Sequence, residues 1–298
     1  MRVSRRAGGV VVALVAAATV VAGAADSLDV TLERVGARVA AYYANAQSIV
    51  AEETVRIQNE SRDMRPEGFA QVFVYETRIE MTPASNDERP LATFIRQLVK
   101  VGSRAPDPRA KEPPDKCTTN QSGRPTPEPL SDLLPGNRRD FTFRVVDHPK
   151  LDGRASILLE YKPIARGKAI VKWTKECLDT NLPPDYYRNR VWVDAVTYDV
   201  LRIDQDLIGP FTVDVPFNQL PFAREPRMTM TSDSESTRYQ LVTFADPDET
   251  LILPRSSQSV VAWSAVAAPR IRTTQVFANY RRFVGQSHLV EAEQPPGL

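Results

Sequence analysis

Two histidines and two cysteines are the chain's whole supply of the side chains most used as bases, nucleophiles and soft metal ligands. His148 precedes Pro149, and His288 lies close to the last residue. Serine hydrolysis needs a nucleophile beside a histidine, most recognisably in a G-x-S-x-G turn; the sequence has no such turn. It also lacks a P-loop, a G-x-G-x-x-G and an H-E-x-x-H. Cys117, Cys177, His148 and His288 are too scattered for the spacing of a zinc site. The densest acid cluster is Asp246-Pro-Asp-Glu249. It offers carboxylates to a calcium ion or an acid pair, but Pro after Asp is the signature of a type I turn between strands. Arg281-Arg282, between Tyr280 and Phe283, offers two guanidinium groups to an anion. Strand alternation sends them to opposite faces. The sequence therefore supplies no catalytic residue, no metal ligand and no cofactor site, and the chain reads as non-enzymatic.

The N-terminus is an address. Arg2, Arg5 and Arg6 precede an apolar run from Val10 to Val21, followed by Ala22-Gly23-Ala24. A basic segment, a short apolar core and an A-x-A site make a secretory signal peptide over residues 1–24, cut between Ala24 and Ala25. An uncleaved anchor is the alternative, although a span needs ~20 apolar residues. No later segment is apolar enough to cross a membrane, so the mature chain is expected to be soluble in the periplasm or outside the cell. The full chain carries a net charge of +1, and the leader takes three arginines with it. This balance gives no support to nucleic-acid binding, which shows as a basic excess. In an oxidising compartment Cys117 and Cys177 are expected to bridge. The loop of about 60 residues that they would close is worth roughly 4 kcal/mol. Two free thiols are the alternative.

Behind the leader, Leu28, Leu32, Val35, Val39, Tyr42 and Ala46 recur at spacings of four and three and form one stripe of a helix over 28–46. Glu33, Arg34 and Arg38 fall off the stripe, and Asp26, Ser27 and Asp29 suit the N-terminal cap. Such a stripe must cover an apolar surface. With Tyr43 beside Tyr42, it serves as either a hinged lid or a fixed plug. Period two then takes over. In 49–58, Ile49, Ala51, Val55 and Ile57 share a face that Glu53 interrupts. Further strands are expected over 69–81, 94–101, 140–147, 154–163, 168–174, 189–195, 199–207, 210–215, 235–246, 250–264 and 270–283. No helical pattern separates them, so the sheet must be antiparallel. Residues 103–129 are a Pro-rich loop, 130–134 a helical turn, and 216–234 an irregular excursion that packs on the sheet or lines a ligand. The tail 291–298 is expected to be disordered.

Val191-Trp-Val-Asp-Ala195, then Val-Thr-Tyr-Asp199, then Val200-Leu-Arg-Ile-Asp204 make a strand, tight turn and strand. With the Leu251–Pro254 strand start and the Phe277–Phe283 strand, this pattern resembles bacterial outer-membrane lipoprotein-sorting (Lol-type) carriers and their half-barrel relatives. The order of leader, amphipathic helix and antiparallel meander is similar too. The resemblance covers about two thirds of the mature chain; the Pro-rich loop, the cysteine pair and the 216–234 excursion depart from the compact carriers. It implies a mainly β chain: one curved antiparallel sheet of about ten strands, a half-barrel over 25–290, with the helix in the concavity. The function it implies is a non-enzymatic carrier or sensor of lipid or lipoprotein acyl chains in the cell envelope. A protein-interaction module with a filled core, binding an envelope protein, is the other reading. Strands apolar on both faces, such as Ile157-Leu158-Leu159, fit a sheet covered on one side and lining a cavity on the other.

Overall fold

A computed structural model describes residues 27–46, 49–82, 91–106, 129–173, 178–219, 226–245, 248–264, 270–284 and 288–293. The leader, both cysteines and most of the Pro-rich loop lie outside the described residues.

Helix α1 spans Leu28–Ala46, the limits that its stripe sets. Its first turn is held by Ser27, whose Oγ accepts from Val30 N–H at 3.4 Å and whose carbonyl accepts from Thr31 N–H at 3.0 Å. Fifteen strands follow among the described residues. They are β1 Ile49–Glu60, β2 Pro66–Thr82, β3 Leu91–Val101, β4 Phe141–Asp147 and β5 Lys150–Leu151. Next come β6 Arg154–Pro163, β7 Ile170–Trp173, β8 Leu178–Asn181, β9 Tyr187–Asp194 and β10 Val200–Leu207. The last are β11 Phe211–Asp214, β12 Arg227–Ala245, β13 Asp248–Trp263, β14 Arg270–Val284 and β15 His288–Glu293. β5 turns into β6 through Asp152-Gly153, both at positive φ (50° and 81°), the pattern of a two-residue hairpin turn.

Ten strands form one antiparallel path in the order β3-β2-β1-β14-β13-β12-β10-β9-β6-β4; β5, β11 and β15 attach beside it, giving 13 in all. β7 and β8 make a separate two-stranded sheet. The path stays open, with β3 and β4 at its ends. Register shifts interrupt six of its pairings, and each such bulge bends its strand and adds twist. The result is a curved half-barrel. At the far end of β13 the sheet rolls further: β15 pairs with β14 and also reaches β12.

Three expectations are corrected. The irregular excursion ends at Pro226, because β12 already starts at Arg227, eight residues inside the segment read as loop. Met228, Met230 and Ser232 alternate there with Thr229 and Thr231, and the Ser and Asp residues that follow hid the strand. β8 was not expected at all; four residues give too short an alternation. β15 reaches Glu293, inside the segment expected to be a disordered tail.

Candidate functional site

Register assigns the inner face of the sheet. Val191 of β9 lies opposite Leu159 of β6 and Ile203 of β10; Ile203 lies opposite Thr237 of β12, and Thr237 opposite Ser257 of β13. All are buried. Along this face three zones follow one another.

The first zone is apolar and belongs to α1. Val35, Val39, Tyr42 and Tyr43 are buried in one core with Leu130, Leu133, Val191, Val193, Leu253 and Phe277. Leu28 and Leu32 are half-buried and pack against the same core. Five of the six stripe residues named from the sequence, with Tyr43 beside them, are therefore in or against this core; the side chain of Ala46 lies outside the described residues. Gly36 sits where α1 meets the turn after the Pro-rich loop. A Cβ there would lie 3.3 Å from the Leu133 carbonyl oxygen and from the Pro135 ring.

Two arginines off the stripe reach the β9–β10 turn. An Arg34 N–H donates to Tyr198 Oη at 2.7 Å, and its guanidinium lies 4.8 Å from the centre of that ring. Arg38 donates to Asp199 Oδ1 at 2.6 Å. The turn is built to hold these partners. Asp194 Oδ1 accepts from the backbone N–H groups of Val196 and Thr197 at 2.8 Å, and Arg154 donates to its other oxygen at 2.8 Å. Burial works against the Asp194 carboxylate, but these hydrogen bonds and the Arg154 charge outweigh it and hold its pKa below the usual value. Thr197 Oγ1 donates to Asp199 at 2.7 Å. Tyr198 is held at a φ of 61°, a conformation that an aromatic side chain rarely adopts.

The second zone is a polar belt that sequence reading missed. Glu53 is fully buried. It accepts from Arg96 Nε at 2.6 Å, Arg96 Nη2 at 3.1 Å and Thr77 Oγ1 at 2.7 Å. On β12, Asp233 Oδ2 accepts from Tyr187 Oη at 2.6 Å. Glu235 accepts from Ser257 Oγ at 3.1 Å, and Ser257 in turn accepts from Thr237 Oγ1 at 3.1 Å. Gln205 donates to the buried Asn189 at 3.0 Å. Burial raises the pKa of Asp233, against the Tyr187 hydrogen bond. Burial also raises that of Glu235, with help from Asp233 and against Ser257, Thr237 and Arg96. Glu235 remains exposed to solvent, so its carboxyl lies in a trough that water enters but protein surrounds. The Tyr187 hydroxyl is pushed far up by burial and by Asp233.

The third zone is a second apolar cluster: Leu178, Leu182, Val213, Met230 and Trp263. It is packed by Val171 and Trp173 of the small β7–β8 sheet.

Paired acids with raised pKa values are a recurrent feature of acid–base sites. Here each already has a hydroxyl partner, and the histidines are elsewhere: His148 is exposed at the β4–β5 turn, and His288 opens β15. Arg281 and Arg282 take separate partners, Glu76 and Glu249, as their opposite faces require. The strand alternation of Asp233 and Glu235 was the missed signal, hidden because residues up to 234 read as loop.

No family model and no curated protein matches the chain. Among solved structures it is similar to a LolA superfamily protein from Nitrosomonas europaea, at 11% identity over 88% of this chain and 96% of that one, with a TM-score of 0.34. It is similar to an outer-membrane lipoprotein-sorting protein domain from Vibrio parahaemolyticus, at 10% identity over 86% and 93%, with a TM-score of 0.39. It is also similar to a DUF1329 family protein from Desulfovibrio piger, at 11% identity over 88% and 95%, with a TM-score of 0.39. No helix among the described residues is long and apolar enough to cross a membrane.

Proposed function

We propose that the protein is an exported, non-enzymatic carrier or sensor of acyl-chain ligands, seen with α1 occupying the place that the ligand would take. The observation that carries this reading is the apolar floor under α1: a continuous surface on the inner face of the sheet, covered by a single helix. Magnitudes allow the exchange. Withdrawing Val35, Val39, Tyr42 and Tyr43 from the core costs roughly 6–12 kcal/mol at 1.5–3 kcal/mol per large side chain. A sixteen-carbon chain laid on the same floor gains about 12 kcal/mol at ~0.8 kcal/mol per methylene. The exposed Arg34–Tyr198 hydrogen bond adds about 1 kcal/mol of resistance, and the Arg38 pair with the buried Asp199 adds about 1–3 kcal/mol.

A second reading has its own support. The buried Glu53–Arg96 pair beside the floor, together with the built turn under Arg34 and Arg38, suits a permanently seated plug and a module that binds an envelope protein. Native mass spectrometry of protein purified from its host, followed by lipid extraction, separates the two. The carrier reading expects co-purified acyl chains and, with added lipid at 100 times its dissociation constant, a gain of about 2.7 kcal/mol in stability. A clean apo mass with no such gain overturns it in favour of the plug. Export expects a mature chain starting at Ala25 on N-terminal sequencing; a chain still starting at Met1 contradicts it.

A further inference from the structure

The outer face of the sheet carries a depression of about 360 Å³ that the acyl-chain reading does not use. Its floor is a patch of short polar side chains set in register. Ser236 of β12 lies opposite Gln258 of β13, and Gln258 opposite Thr274 of β14. Ser234 and Ser256 flank that row on the same face. A solvated sheet face ordinarily fills with long side chains. Here the short ones leave a hollow under three arginines. The side chains of Ser234, Ser236, Ser256, Gln258 and Thr274 have no hydrogen-bond partner among the described residues.

The walls are charged but balanced. Arg202 forms a fork with Asp204, with N–O distances of 2.6 and 2.7 Å. Arg190 donates to Asp206 at 2.6 Å, and Arg238 reaches Asp152 at 3.1 Å. Asp152 lies outside the hollow; the lining itself holds Arg190, Arg202 and Arg238 with Asp204, Asp206 and Glu235, three guanidinium groups and three carboxylates. Arg190 and Arg202 both lie against the ring of Trp192, at 5.6 and 4.8 Å from its centre, which fixes their orientation. Arg190 keeps one unused donor: its buried Nε has no partner.

From this geometry we infer a binding site for a neutral saccharide of one or two rings. The neutrality of the walls selects against an anion, which would find no net field to hold it. A sugar hydroxyl donates and accepts at once, so it needs both kinds of group side by side. Guanidinium N–H groups, carboxylate oxygens and serine and threonine hydroxyls line this hollow together. The groups are already ordered by their mutual pairing, so little ordering remains to oppose binding. The volume lies near the lower end of the ~300–1,000 Å³ typical of small-molecule sites.

The test is titration of the full, isotope-labelled chain with cellobiose, maltose and chitobiose, read by amide NMR, with sodium sulfate as the anion probe. The expected result is saturable shifts at Ser234, Ser236, Gln258 and Thr274 with at least one disaccharide, unchanged by raising the salt concentration. Ser236→Tyr, which fills the hollow, and Asp206→Asn, which removes an acceptor, should each weaken binding about tenfold or more. Because Asp206 is half-exposed, its variant keeps the test valid should Ser236→Tyr fail to fold. Three results would each overturn the proposal: no shift with any of the three sugars; sulfate moving the same amides with binding that falls as salt rises; or affinity untouched by folded variants.

Discussion

Glu53 of β1 and Arg96 of β3 face each other across the intervening strand β2, and both Glu53 carboxylate oxygens accept from that single guanidinium. Thr77 on β2 donates the third hydrogen bond. The pair therefore ties three strands together under the inner face, with 4% of the Arg96 side chain and none of that of Glu53 exposed. Two charges removed from water this completely are costly to separate, because the survivor has no solvent to turn to.

Removing one partner should thus be far worse than removing both. Arg96→Met is expected to lower the unfolding free energy by about 3–5 kcal/mol, and the Glu53→Leu, Arg96→Met double variant to recover most of that loss. Urea denaturation of the two variants decides it. A single variant as stable as the parent would show that the pair is not isolated from water.

This pair also marks the limit of what the sequence reveals. Helix α1 was legible to the residue, because a stripe from Leu28 to Ala46 has only one period that fits. The β9–β10 hairpin was legible from Val191 to Asp204, because its apolar alternation stops and restarts across a short polar turn. Glu53 looked like a flaw in the apolar face of β1. Its partner lies 43 residues away, and nothing local links them. The same holds for the closure of β1 onto β14, which joins opposite ends of the chain. Alternation shows that a strand exists and which side chains share a face; it does not show which strand lies beside it. The serine floor of the outer face has the same character, since it exists only once β12, β13 and β14 are aligned.

The acids of β12 set a pH dependence whose sign follows from the direction of their shifts. Asp233 and Glu235 have raised pKa values in the fold. Between the ordinary carboxylate value and the raised one, the folded state holds more protons than the unfolded state. Stability therefore falls as pH rises through that window. Asp194, whose pKa is lowered, acts oppositely: its contribution is present above the ordinary value and is lost as pH falls through the folded value. Asp233→Asn and Glu235→Gln should each raise the urea midpoint at pH 7 and flatten the decline above the ordinary carboxylate range. A midpoint lowered at pH 7 by both variants would contradict the assignment of burial as the dominant cause.

Gly36 is the point of closest approach between α1 and the turn at Leu133–Pro135. In an exposed helix, alanine would be better than glycine by about 1 kcal/mol. Here a Cβ meets a carbonyl oxygen and a proline ring at 3.3 Å, and neither is a flexible side-chain end. Gly36→Ala should therefore fail to give that gain, and Gly36→Val should destabilise by about 1–3 kcal/mol through overpacking. Thermal unfolding of both variants is the check. A Gly36→Ala protein stabilised by the full helix-propensity increment would mean that the turn yields freely.

The contacts of Arg34 and Arg38 with the β9–β10 turn give the last prediction, because they separate stability from helix motion. The Arg34 contact is exposed, so Arg34→Ala should change global stability by less than about 1 kcal/mol, whereas Arg38→Ala leaves the buried Asp199 carboxylate without its guanidinium and should cost about 1–3 kcal/mol. Their partners are not loosely held: Asp199 is fixed by Thr197, and the Tyr198 backbone by the turn around Asp194. The turn is thus a fixed post against which α1 is moored. Taking away the mooring should let α1 open locally without unfolding the sheet. Hydrogen exchange by mass spectrometry should then show faster exchange over 28–46 in the Arg34→Ala, Arg38→Ala double variant, with β1 and β14 unchanged. Equal acceleration in α1, β1 and β14 would mean that the helix and sheet open only together, and that α1 is an inseparable part of the core.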